Sequence, residues 1–71
     1  MKLEEVRTLL HTSPFVPFTL HLPDGRKLHV EHPDYVATAH ESDTIIVYDK
    51  DDSFSVLDLT LVSDAKVGAI S

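Results

Sequence analysis

Five histidines in a chain of 71 residues, His11, His21, His29, His32 and His40, are the first side chains here whose type invites chemistry. Neutral imidazole is a common metal ligand, and its charge changes near physiological pH. His21 and His29 are placed by the pattern described below as diagonal neighbours on one face of a strand pair, roughly 7–8 Å apart between backbones, with Glu31 following on the same face. Zinc asks for three or four ligands in a tetrahedral array, so His32 would have to swing back from the next turn to complete a site of His21, His29 and His32. The competing explanation is a solvated strand face that carries histidines because they are polar.

Three other stretches invite chemistry. Asp49-Lys50-Asp51-Asp52-Ser53 resembles the opening of an EF-hand loop, but Phe54 stands where that loop needs glycine and Thr60 where it needs its bidentate glutamate. An acidic hairpin tip explains it more simply. His32-Pro33-Asp34 spells a co-chaperone tripeptide that belongs between two long helices, whereas its flanks here alternate as strands do; it is expected to form a corner, with Pro33 fixing φ and Asp34 accepting from nearby amides. Pro14-Phe15-Val16-Pro17 has the spacing of a polyproline ligand, yet two phenylalanines bracketed by prolines suit a brace at the entrance to a core.

Catalysis is not expected. There is no nucleophile elbow, phosphate loop or metalloprotease helix, and no cysteine. No cofactor motif occurs, and a chain this small has little room for a pocket of a few hundred cubic ångströms that excludes water.

The elements that position these residues follow from periodicity. Leu3, Val6 and Leu10 fall on one helical stripe, Glu4 and Glu5 suit its first turn, and Pro14 pushes Ser13 out of the α region, so a helix is expected over residues 2–11. Leu22-Pro23-Asp24-Gly25-Arg26 reads as a hairpin with a three-residue loop, proline setting the turn and glycine supplying its left-handed residue. Pairing Leu22 with Arg26 sets Leu20 opposite Leu28 and Phe18 opposite Val30, leaving Thr19, His21, Lys27, His29 and Glu31 on the other face.

A second hairpin is expected over residues 44–57 with residues 49–52 at its tip. If Tyr48 faces Ser53, Val47 meets Phe54 and Ile45 meets Val56, and both hairpins can pool their apolar sides into one core. Ile46, Tyr48 and Leu57 are then left on the outer side, where the N-terminal helix, the curl of a barrel or another copy would have to cover them. Weaker signals place a turn at residues 33–35, a short strand over 36–40, a tight helical turn after Leu57 and a last strand over about 63–69. The fold class is therefore mainly β (α+β): one domain over residues 1–71, a helix followed by a five- or six-stranded antiparallel meander with strands at about 17–22, 26–31, 36–40, 44–49, 53–57 and 63–69.

A domain near this size buries only about 60% of the surface its unfolded chain exposes, so a partner is a natural source of further stability. Net charge is −6, with six lysines and arginines against twelve carboxylates. Nucleic-acid affinity comes mostly from basic side chains on phosphates, so a protein partner with a basic or apolar surface is the better match. The first residues lack the apolar stretch of a secretory signal and no run approaches membrane-spanning length, so a cytoplasmic protein is expected.

The Pro-Phe-x-Pro-Phe entry of residues 14–18, the turn Asp24-Gly25-Arg26 and the step His32-Pro33-Asp34, with the strand of residues 45–48 and the turn of residues 59–62, resemble a group of short uncharacterised bacterial proteins. That resemblance covers most of the chain and implies a shared fold with no established activity. The element order is also similar to that of a small Sm-like barrel, which implies ring assembly and binding of RNA or DNA. The acidic balance opposes the nucleic-acid half of that likeness.

These readings converge on a non-enzymatic protein–protein interaction module that associates, by expectation with itself, through Ile46, Tyr48 and Leu57. Asp49, Asp51 and Asp52 would form its polar rim. An Sm-like nucleic-acid ring and a histidine-based metal-dependent regulator are the alternatives.

Overall fold

The structure, a computed structural model, describes residues 1–68. Helix α1 (Leu3–His11) begins where Glu5 Oε1 accepts the Lys2 amide at 3.1 Å, and two acidic residues occupy its first turn. The next elements are β1 (Phe18–His21), β2 (Lys27–Val30), a 3-10 turn η1 (Pro33–Tyr35) and β3 (Val36–Thr38). They are followed by β4 (Thr44–Tyr48), β5 (Phe54–Asp58), a second 3-10 turn η2 (Leu59–Leu61) and β6 (Asp64–Val67). The last expected strand reached residue 69, which lies outside the described residues.

Two antiparallel three-stranded sheets result, ordered β2-β1-β6 and β3-β4-β5. The class is α+β with one N-terminal helix, as the pattern implied, but a simple meander is not formed. After η2 the chain crosses back so that β6 pairs with β1, Phe18 opposite Val67 and Leu20 opposite Ala65. Among the described residues no strand pairing joins the two sheets, so the barrel is not closed.

The first hairpin has the expected register. Phe18 pairs with Val30 and Leu20 with Leu28, the Leu22 amide donates to the Arg26 carbonyl at 3.0 Å, and Gly25 takes φ +91°. Val6 of α1 is completely buried with Phe18, Leu20, Val30, Ile45 and Leu59, and Leu22, Val47, Leu57 and Val62 complete the core. Arg7 donates through Nη2 to the carbonyls of Ala39 and His40, at 2.8 and 2.7 Å, fixing the helix against the end of β3.

At the corner, His32 and not Asp34 supplies the acceptor: its Nδ1 takes the Asp34 amide at 3.2 Å. Asp58 does the equivalent for η2, accepting from the Thr60 amide and hydroxyl.

Candidate functional site

The second hairpin closes differently from expectation, and that difference builds the candidate site. The Asp49 amide donates to the Ser53 carbonyl at 2.8 Å and the Asp52 amide to the Asp49 carbonyl at 3.2 Å, while Asp52 adopts φ +69°. The loop is thus three residues long, Lys50-Asp51-Asp52, with Asp49 facing Ser53 rather than Tyr48 facing it. Tyr48 consequently pairs with Phe54, Ile46 with Val56 and Ile45 with Leu57. A slip of one residue turns every side chain of a strand to the opposite face.

Two corrections follow. Leu57, expected on the outer face, is 5% exposed and belongs to the core. Phe54 and Val56, expected in the core beside Val47 and Ile45, point outward at 59% and 62% exposure. The other six side chains assigned to the interior do face inward: Phe18, Leu20, Val30, Ile45 and Val47 are buried, and Leu28 packs half-buried against them.

The outer face of β3-β4-β5 therefore carries Ala37, Ile46, Tyr48, Phe54 and Val56. Tyr48, 43% exposed, and Phe54 form a cross-strand aromatic pair with centroids 5.7 Å apart and planes tilted by 47°, a spacing within the favourable range for such pairs. Leu61, 61% exposed, continues the apolar surface around the free edge of β5, sharing a groove with Leu22, Pro23 and Val56. The helix does not cover this face, since its buried residue points into the core. Phe54 and Val56 were missed because alternation alone suits either register. The missing signal was Asp52, since aspartate is among the few non-glycine residues that tolerate the left-handed conformation.

Carboxylates border the face. Asp49, Asp51 and Asp52 form the exposed hairpin tip, as expected, and Asp58 lies at the far end of β5 on the same side as Phe54 and Val56. Ser53, donating through its amide and hydroxyl, holds the Asp51 carboxyl below the usual carboxylate range. Thr60 does the same for Asp58. Lys50 leaves the tip to pair with Glu31 of the segment after β2, Nζ to Oε2 2.6 Å, which raises the lysine and lowers the glutamate.

The three histidines considered for a metal have separate local partners. His21 Nδ1 lies 2.6 Å from Asp64 Oδ1 on β6, His29 Nδ1 lies 2.9 Å from the hydroxyl of buried Thr19, and His32 caps η1. Among the described residues no three His, Cys, Asp or Glu side chains are gathered where they could hold a metal ion. No helix of the described residues is long and apolar enough to cross a membrane. Comparison with protein-family models, with curated proteins and with solved structures finds no match to this chain.

Proposed function

We propose that the chain is a non-enzymatic protein–protein interaction module that docks through the outer face of β3-β4-β5. One observation carries this reading: Tyr48, Phe54 and Val56 stand adjacent and exposed on a sheet face that no other element of the described residues covers. Burying such side chains is worth about 1.5–3 kcal/mol each. Three or four together can therefore offset a good part of the several kcal/mol that association costs in lost freedom. Tyr48 and Phe54, two aromatic residues at the centre, are the expected anchors, with Ile46 and Val56 beside them and the carboxylates of the tip as the rim.

A photo-crosslinking residue at position 54 tests the module against a control at exposed position 66 on β6 of the other sheet, both in the native host. Adducts from position 54 alone, with any protein including the chain itself, are expected. Equal adducts from both, or none from either, would remove this face as a docking surface.

The way β6 follows η2 and returns to β1 supports a finer reading of the fold, a small Sm-like barrel open along a seam. The ring and nucleic-acid binding that such a likeness suggests form a second reading. Six basic residues against twelve acidic ones weigh against its RNA or DNA half. Filter binding at low salt, where the phosphate term is strongest, decides it; no retention of RNA or DNA ends that reading.

A further inference from the structure

The outer face of β3-β4-β5 has an electrostatic character that selects its occupant. Between positions 37 and 58 lie six of the chain's twelve carboxylates, Glu41, Asp43, Asp49, Asp51, Asp52 and Asp58, and one lysine or arginine, the base Lys50. That base is spent on Glu31 at 2.6 Å. Of the other cations, Arg26 borders the groove at the free edge of β5 but pairs with Asp24 at 2.7 Å, Arg7 binds carbonyls at the end of β3 with Lys2 nearby, Lys66 lies on β6, and Lys27 on β2 borders the cleft beside Tyr48 and Asp49. Among the described residues the face thus presents an apolar centre with Asp49, Asp51 and Asp52 at one end of β5 and Asp58 at the other, in excess over the cations beside them, Lys27 near the tip and the Met1 ammonium near Asp58.

A second copy laid face to face would bring two such rims together, and like charges across an interface disfavour the pairing. Resting on the docking face proposed above, we infer that its occupant is a basic amphipathic helix of a different protein. Three strands about 4.8 Å apart present a strip about 10 Å wide, close to the 10–12 Å diameter of a helix. From the tip carboxylates to Asp58 is roughly 17 Å, five residues at about 3.3 Å each. At about 1.5 Å per residue a helix spans that distance in roughly 11 residues, about three turns, which returns to the same side of the helix. The fitting segment carries leucine-like residues along one stripe and a lysine or arginine on that side at each end.

The probe is a dye-labelled helical peptide of about 15 residues with leucines at i, i+3, i+4, i+7 and i+8 and lysines at both ends. Its twin carries glutamate for lysine, and both are titrated against the full chain by fluorescence anisotropy. The lysine peptide binds and the twin binds at least about tenfold more weakly, as expected for two or three exposed ion pairs. The difference shrinks in high salt, where the screening length falls to about 3 Å. Asp51→Asn with Asp58→Asn, which keeps an acceptor for each turn, brings the two peptides toward parity. Equal binding of both peptides, binding of neither, or a dimer that strengthens with salt overturns the inference. Phe54→Ser separates that failure from failure of the docking face. If it dissolves a salt-strengthened dimer, the face stands and only its occupant is wrong; if it alters neither peptide binding nor mass, the face itself falls.

Discussion

The hairpins β1-β2 and β4-β5 are built to one plan and differ at a single decisive residue. Each has a three-residue loop whose third residue is left-handed, Gly25 at φ +91° in the first and Asp52 at φ +69° in the second. Each closes with an amide-to-carbonyl bond across the loop, Leu22 to Arg26 at 3.0 Å and Asp49 to Ser53 at 2.8 Å. Each also has a loop carboxylate accepting the amide two residues later, Asp24 from Arg26 and Asp51 from Ser53. Glycine announces a left-handed position to any reader of the sequence; aspartate at the same position does not. The surface of the molecule turns on that difference, because a register misplaced by one residue exchanges Leu57 with Phe54 and Val56.

The greatest effect expected from probing this contrast is at Leu57. Leu57→Ala should cost about 2–5 kcal/mol in urea unfolding, as Leu20→Ala should in the first hairpin, because each vacates the core. Val56→Ala and Phe54→Ala, on the exposed face of the same strand, should each cost less than about 1 kcal/mol. The opposite ordering would restore the slipped register.

Next in size are the loop residues themselves. Gly25→Ala should cost about 1–2 kcal/mol from backbone conformation alone, since a Cβ there meets no atom within 4 Å. Asp52→Gly should stabilise by up to about 1 kcal/mol for the same reason in reverse. Urea midpoints of the two variants check both signs.

A pH effect should be shared by the hairpins. The Asp24 carboxyl is lowered by the Arg26 amide and guanidinium, and that of Asp51 by Ser53. A carboxyl lowered on folding contributes stability that is fully present above its unfolded value, near pH 4, and is lost as pH falls through the lower folded value. Stability should therefore decline on acidification below about pH 4. Asp24→Asn and Asp51→Asn should each flatten that decline in urea midpoints followed from pH 6 to pH 2.

The smallest effect belongs to Lys50 and Glu31, an exposed pair that ties the second tip to the end of β2 without a counterpart in the first hairpin. The lysine is raised on folding, so its contribution is present below its unfolded value and lost as pH rises through the folded one, above about pH 10.4. Glu31→Gln should remove this alkaline dependence, and salt should mask the difference between variant and parent.

Local chemistry accounts for what could be read in advance. The α1 stripe of Leu3, Val6 and Leu10, the stop before Pro14, and the first hairpin down to its partners are set by residues close in sequence. The outward positions of Ile46 and Tyr48 and the acidic tip were legible for the same reason. Phe54 and Val56 were not, because the runs Ile45-Ile46-Val47-Tyr48 and Phe54-Ser55-Val56-Leu57 offer an apolar face in either register, and only the loop decides. Polar Ser55, which pairs with Val47 on the inward side, further disguised the true alternation. Pairings between distant residues, β6 with β1, His21 with Asp64 and Lys50 with Glu31, leave no local trace.

Because the chain contains no cysteine, single-cysteine variants report side-chain access without interference. Phe54→Cys and Leu57→Cys, labelled with a maleimide under native conditions and followed by mass, test directly which side of β5 faces outward. Rapid labelling at position 54 with strong protection at position 57 is the expected result. Protection at position 54 with rapid labelling at position 57 would contradict the docking face and everything inferred about its occupant.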